Sequence, residues 1–287
     1  MGNIAIVTDS NSRITADMAA QLGITVIPMP FSIDGEEYYE DINLTQDEFY
    51  KKLDEGAEIS TSQPAIGKVM DLWNDLLKDH DQVLYIPMSS SLSSSCATAM
   101  SMADEFDGKV FVVNNQRISV TLKQSVFDAI KLAKEGKDAE EIKEILENDK
   151  LESSIYITVD NLKYLKKGGR VTTAGAAIAT VLNIKPVLTI QGEKLDAFAK
   201  TRGIKAAKST MIEAISKDIN ERFTDYLNSG KLRLSVVHTM NEEIAKELRD
   251  ELAEMYPMLD VDIDILSLSV ACHIGPGSLA VACSKIE

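Results

Sequence analysis

Two α/β domains, the first on a Rossmann-like parallel sheet and the second on a mixed sheet, are the fold that this sequence predicts. Three observations carry the prediction. A chain of 287 residues, 45% hydrophobic and 26% charged, has the composition of an ordinary globular protein and enough length for two domains. In its first half, short apolar runs alternate with longer amphipathic segments, the pattern of βαβ crossovers. The charged stretch Gly136–Glu152 then leads into a half where a hairpin and closing strands replace strict alternation, so residues 1–152 and 153–287 are the expected domains.

Element by element, Ile4–Thr8 is an apolar run bounded by the polar turn Asp9-Ser10-Asn11-Ser12, as in a buried strand. Thr15–Leu22 reads as a helix closed by Gly23, where a left-handed residue is needed. Ile24–Met29 is the next strand, and Asp34-Gly35 within Phe31–Tyr39 is a two-residue hairpin signal. Thr45-Gln46-Asp47-Glu48 is a capping box that opens a helix ending at Gly56. Past a polar loop, Ile66–Lys78 is an amphipathic helix, Val83–Met88 a strand, Leu92–Phe106 a helix and Val110–Val113 a strand. Helical patterns cover Ser119–Lys134 and Ala139–Glu147.

In the second half, Ser154–Thr158 is a strand and Asn161–Leu165 a short helix, followed by the Gly168-Gly169-Arg170 break. Ala174–Leu182 is a small-residue helix, and Val187–Ile190 and Leu195–Lys200 form a hairpin around Gly192. Ile204–Leu227 and Asn241–Met255 are helices on either side of the strand Leu232–His238. Val261–Leu268 and Ser278–Cys283 are the closing strands.

Thirty Lys and Arg against 45 Asp and Glu leave a net charge of −15, which argues against nucleic acid or an anionic membrane as partner. No apolar run reaches the ~18–20 residues of a membrane-spanning helix. The start, Met1-Gly2-Asn3 before Ile4-Ala5-Ile6-Val7, lacks the basic and long apolar regions of a signal peptide, so a cytoplasmic location is expected. Cys96, Cys272 and Cys283 form no C-x-x-C pair, and His80, His238 and His273 no H-x-x-x-H spacing. Neither a disulfide set nor a metal site is therefore expected. Cys272 and His273 are adjacent, but neighbours on an extended chain point to opposite faces, a poor geometry for a nucleophile and its base.

Loops after the strands of a parallel sheet are the default ligand site. Two of them are rich in hydroxyls. Ser60-Thr61-Ser62-Gln63-Pro64 precedes one helix, and six of the seven residues 89–95 are serine, after the strand Val83–Met88. Backbone N–H groups at a helix start and several hydroxyls make an anion cradle without a formal positive charge. The alternative is that these serines are ordinary caps and turns. A Walker loop, a G-x-G-x-x-G after the first strand and a G-x-S-x-G elbow are all absent.

Six segments stand in a telling order: Thr8-Asp9-Ser10, Thr61-Ser62-Gln63-Pro64, Ser89-Ser90-Ser91-Leu92-Ser93, Leu162-Lys163-Tyr164-Leu165-Lys166-Lys167-Gly168-Gly169-Arg170, Lys185-Pro186-Val187-Leu188 and His273-Ile274-Gly275-Pro276-Gly277. Through this ordered set, which spans nearly the whole chain, the sequence resembles the DegV family. The resemblance implies a bacterial lipid-binding protein whose two α/β domains hold a single long-chain fatty acid between them. It implies no chemistry of the protein's own and no cofactor beyond the bound fatty acid. By similarity to the binding subunits of fatty acid kinase, it implies presentation of the carboxylate to a separate kinase subunit, which makes an acyl-phosphate for phospholipid synthesis.

Carried over by motif, Thr61, Ser62 and Ser93 match the family's carboxylate-binding hydroxyls, and His273 matches a histidine near the same head group. Arg170 and Arg202 match basic positions that face the head group or the kinase. The chain departs from the family's pattern at Asn114-Asn115 in place of D-S, at Ser119-Val120-Thr121-Leu122-Lys123 in place of S-x-G-x-G, at Ser93-Ser94-Ser95-Cys96 in place of S-G-T-Y, and at Ala280. These changes leave the hydroxyls in place and point to a different acyl preference. Two other readings compete: a serine-dependent acyl hydrolase using Ser93 with His273, and a lipid-responsive regulatory protein.

Overall fold

The computed structural model describes residues 3–178, 184–192 and 194–287. In chain order its strands are β1 (Ile4–Asp9), β2 (Thr25–Ile27), β3 (Phe31–Ile33), β4 (Glu36–Tyr38), β5 (Ile59–Thr61), β6 (Gln82–Ile86), β7 (Val110–Val112), β8 (Ser153–Thr158), β9 (Lys185–Ile190), β10 (Asp196–Thr201), β11 (Leu232–His238), β12 (Val261–Ile265) and β13 (Leu279–Lys285). Its helices are α1 (Ala16–Leu22), α2 (Gln46–Asp54), α3 (Ile66–Leu76), α4 (Ser95–Ala103), α5 (Ser119–Lys134), α6 (Ala139–Asn148), α7 (Leu162–Gly168), α8 (Thr173–Ile178), α9 (Ile204–Glu221), α10 (Thr224–Asn228), α11 (Glu242–Met255) and α12 (Leu268–Ile274). The chain divides into two compact units. The first runs to Lys150 and also takes in Ser267–Ser269 and Glu287, and the second comprises Leu151–Leu266 and Val270–Ile286. Sequence order hides the return of Ser267–Ser269 to the first unit.

The first unit carries a parallel sheet in the order β2-β1-β6-β7. Its strands are apolar on both faces, and alternation assigns each face a core. Ala5, Val7, Val83 and Tyr85 pack with Trp73 of α3 and Cys96 of α4. Ile6, Leu84 and Ile86 pack with Leu122 and Val126 of α5 and with Ile142 and Leu146 of α6. The expected capping box is present, with Glu48 N–H on Thr45 Oγ1 at 3.3 Å and Thr45 N–H on Glu48 Oε2 at 2.9 Å. Asp34 and Gly35 both take positive φ (51° and 86°) between β3 and β4, as a two-residue hairpin turn requires.

A separate antiparallel sheet in the order β4-β3-β5 completes this unit. Its third strand falls in the segment expected to be a polar loop. Ile59-Ser60-Thr61 is too short to show a period, and its pairing with β3 is a long-range event that local pattern does not encode.

The second unit is a mixed sheet in the order β10-β9-β8-β13-β11-β12, in which only the β11–β12 pair is parallel among the described residues. Helices α9 and α11 cover one face. Met211, Ile215 and Ile219 of α9 and Ala245, Leu248 and Leu252 of α11 meet Tyr156, Leu234, Val236 and Val281. The expected hairpin around Gly192 is β9–β10. The expected helix Ala174–Leu182 is present as α8, and its residues 179–182 lie outside the described residues. The expected strand Val261–Leu268 stops at Ile265, and α12 follows where no helix is expected.

Candidate functional site

The first hydroxyl loop leaves the small antiparallel sheet. Thr61 is the last residue of β5, opposite Phe31, and Ser62 N–H donates to the Pro30 carbonyl at 3.3 Å. This corrects the expectation that both hydroxyl loops crown the parallel sheet; only residues 89–95 follow one of its strands. Side chains nevertheless join the two. Gln63 Oε1 accepts from Ser94 Oγ at 3.3 Å and from Thr98 Oγ1 at 3.1 Å. Gln63, Pro64, Tyr85, Ser95 and Thr98 are among the residues around a small recess of about 20 Å³, room for about one water-sized molecule.

The serine loop is more than a set of helix caps. Ser94 occupies the N-cap position of α4 and makes no capping hydrogen bond. Ser89 N–H donates to the Arg117 carbonyl at 2.9 Å, and the Ser89 carbonyl accepts from Leu92 N–H (3.0 Å) and Ser93 N–H (3.1 Å). Ser93 Oγ accepts from Ser95 N–H at 3.2 Å and donates to Ser95 Oγ at 3.0 Å. Ser89 is buried and Ser93 half-buried, so the turn is wound inward at its root.

Behind this loop lies a carboxylate that pattern matching leaves without a role. Asp9 is fully buried; its Oδ2 accepts from Met88 N–H at 2.7 Å and its Oδ1 from Asn11 N–H at 2.9 Å. Burial pushes its carboxyl up to about 6. Asn11 Oδ1 in turn accepts from the hydroxyls of Ser267 (2.8 Å) and Ser269. Leu268 N–H donates to Glu40 Oε2 at 2.9 Å, and Glu40 Oε1 pairs with Arg13 at 2.6 Å. Asp9, through Asn11, therefore ties the root of the serine loop to Ser267–Ser269.

The departures after β7 form a polar core of their own. Ser125 Oγ accepts from Asn115 Nδ2 at 2.8 Å and from Arg117 Nη1 at 3.3 Å. Thr121 donates its hydroxyl to the Ile118 carbonyl at 2.8 Å, folding the side chain back onto its own helix start.

In the second unit, the K-K-G-G-R and H-I-G-P-G segments interlock through their glycines. A Cβ on Gly168 would lie 2.9 Å from His273 Nδ1, and one on Gly277 would lie 2.8 Å from Asp160 Cβ. Thr239 holds the second segment: its hydroxyl donates to the Gly275 carbonyl at 2.7 Å, and its carbonyl accepts from Gly277 N–H at 2.7 Å. Arg170 Nη1 donates to the Gly168 carbonyl at 2.7 Å, a cation at the C-terminal end of α7. Arg202 is exposed and has no partner among the described residues.

Cys272 and His273 are neighbours on α12, so the geometry of an extended chain does not apply to them. Consecutive helical residues, roughly 100° apart, do not face each other either. Burial, and then the Arg170 charge, push the His273 imidazole down to about 4. Its NMR titration in the ligand-free protein is expected to have a midpoint near 4; a midpoint above 6 refutes this. The stability that comes from keeping it neutral is fully present above the unfolded value of about 6.5. As pH falls to about 4 it is lost, by up to about 3 kcal/mol.

A profile of the DegV family (uncharacterised protein, DegV family) matches residues 3–285. The chain belongs to the DegV family. Protein DegV of Bacillus subtilis is 32% identical over 284 residues, covering 97% of this chain and 98% of that one. Among solved structures, a fatty-acid-binding DegV family protein from Thermus thermophilus superposes with a TM-score of 0.89 at 30% identity, covering 99% of this chain and 100% of the other. The fatty-acid-binding DegV of Bacillus subtilis superposes with a TM-score of 0.87 at 30% identity, with the same coverage. This DegV chain shares with them the two-domain α/β architecture of a parallel and a mixed sheet. Among its described residues no helix is long and apolar enough to cross a membrane, and no group of three or more His, Cys, Asp or Glu side chains could hold a metal ion.

Proposed function

We propose that this chain binds one long-chain fatty acid in an internal tunnel, with its carboxylate on the hydroxyls of Thr61, Ser62 and Ser93. In this reading it is a cytoplasmic carrier that presents the carboxylate to a separate fatty acid kinase for acyl-phosphate formation. One observation supports it above the others: two hydroxyl loops, tied by Gln63, in a chain whose relatives of known structure bind fatty acids. Burying about fifteen carbons of a sixteen-carbon chain contributes on the order of 12 kcal/mol at ~0.8 kcal/mol per methylene. Association and chain ordering take back part of it. The carboxylate must also leave water, which costs several kcal/mol unless it is hydrogen-bonded. Ser93 can meet that need by rotating its hydroxyl from Ser95 Oγ to the ligand while Ser95 N–H still donates to its oxygen.

His273, Arg170 and Arg202 enter this reading through the motif resemblance, and His273 enters as a neutral imidazole. The same property weighs against hydrolysis. A general base works best with a pKa near the operating pH, and an imidazole held at about 4 is a weak one. Native mass spectrometry of the purified protein is expected to show one fatty acid per chain. Ser93→Ala is expected to weaken palmitate binding about tenfold or more, since a hydrogen bond to a charged group contributes roughly 1.5–3 kcal/mol. A ligand-free protein that refuses both palmitate and oleate overturns the reading, and turnover of acyl esters replaces it with the hydrolase.

A further inference from the structure

We propose that Gln63 is the positioning residue of the carboxylate site, its side-chain oxygen setting the spacing between the Thr61 and Ser62 hydroxyls and that of Ser93. The inference rests on the fatty-acid reading above. The two loops leave different sheets, so no strand ladder puts them in register with each other. The first is held at its root by the β3–β5 pairing and by Ser62 N–H on Pro30. The second is held by Met88 N–H on Asp9 and by Ser89 N–H on the Arg117 carbonyl. Both sets of bonds stop short of the other loop. Gln63 spans them: it lies two residues after Thr61, and its Oε1 takes the hydroxyl of Ser94, the residue after Ser93, together with that of Thr98 on α4.

Two further features point the same way. A serine at a helix N-cap ordinarily turns its oxygen back to accept an N–H of the first turn. Ser94 forgoes that bond and reaches Gln63 instead. An amide oxygen has two lone pairs, and two hydroxyl donors use both, which fixes the side chain's orientation. The amide is also neutral. A carboxylate of the same length would accept the same two bonds but would place a negative charge beside the fatty-acid head group.

The test uses [1-¹³C]palmitate with wild type, Gln63→Leu, Gln63→Glu, the Ser94→Ala/Thr98→Val double variant and the triple variant that combines it with Gln63→Leu. Affinity and the ¹³C carboxyl shift of the bound ligand are read together. Gln63→Leu is expected to weaken binding about tenfold and to move the bound carboxyl resonance, because the two hydroxyl groups no longer share one geometry. The double variant should match it, and the triple variant should lose nothing more, the mark of one coupled unit. Gln63→Glu, which still accepts both hydroxyls, should bind more weakly than wild type through charge. A purely structural lesion reduces the fraction of competent protein and leaves the bound resonance where it was. If Gln63→Leu fails to fold, the double variant alone carries the test through the same resonance. Wild-type affinity and resonance in Gln63→Leu, or losses that simply add in the triple variant, overturn the proposal. A wild type that binds no palmitate instead removes the fatty-acid reading itself.

Discussion

Gly275→Ala is expected to destabilise the protein by about 3 kcal/mol or more. Two costs add. Gly275 sits at φ +72°, where an L side chain is disfavoured by roughly 1–2 kcal/mol. The new methyl would also lie 2.5 Å from Tyr164 Cε2 and closer still to Cδ2, so the ring or the backbone must shift. Forced overpacking of this kind costs roughly 1–3 kcal/mol. The molecule supplies its own control. Gly108 has the same φ of +72° with nothing within 4 Å of a built Cβ, so Gly108→Ala carries the backbone cost alone. Urea unfolding of the two variants should separate them by the steric part, and equal midpoints would mean that Tyr164 yields freely. The same contact gives the H-I-G-P-G motif a physical reason. Its first glycine lets the turn after α12 close against the Tyr164 ring of α7, in the unit where Gly168 lies against His273.

That reason is invisible in the sequence, and the division between what could and could not be read there follows from range. Features that close within a few residues were legible. The Thr45 capping box, the Asp34-Gly35 turn, the limits of α5 and the strand at Leu232–His238 all rest on local pattern. The hydroxyl-rich loops of the candidate site were legible too, because six serines in seven positions are an unusual run. Their arrangement was not. β5 exists only through its pairing with β3, and Gln63 acts across 31 and 35 residues of chain. Asp9 has its role through Met88, 79 residues away, and Asn11 through Ser267, 256 residues away. Net charge misleads for a related reason. The total of −15 averages over a segment, residues 161–208, with ten Lys and Arg against two Asp and Glu. Lys163, Lys167, Lys194, Lys200, Arg202 and Lys205 in it are exposed, so the whole-chain value does not exclude an anionic partner for that part of the second unit.

Asp9→Asn is expected to flatten the pH dependence of stability between pH 4 and pH 7 and to weaken palmitate binding at the same time. The folded protein holds the Asp9 proton up to about pH 6, against 3.8 for an ordinary aspartate. A proton bound more tightly in the folded than in the unfolded state contributes stability that is fully present below 3.8. That stability is lost as pH rises through about 6, a span equivalent to about 3 kcal/mol. Asparagine does not titrate, so the stability of the variant relative to wild type should climb by about that much between pH 4 and pH 7 in urea unfolding. Glu40 and Asp128, also pushed up by burial, are present in both proteins and cancel in the difference. The titratable groups facing Asp9 are Tyr85 on β6 and Cys96 on α4. Both are themselves pushed up, Cys96 to about 12, and stay neutral across this range. Parallel stability curves for the two proteins would show that Asp9 is not the group responsible. The functional loss follows from what a carboxylate alone provides. Met88 N–H and Asn11 N–H both need acceptors, and an ionised Asp9 offers two oxygens and no donor. An amide offers one oxygen and sets an NH₂ against the other N–H, which loosens the root of the serine loop. An ionised Asp9 behind the serine loop is thus disfavoured by burial, while its two oxygens hold Met88, and with it the root of that loop, in place.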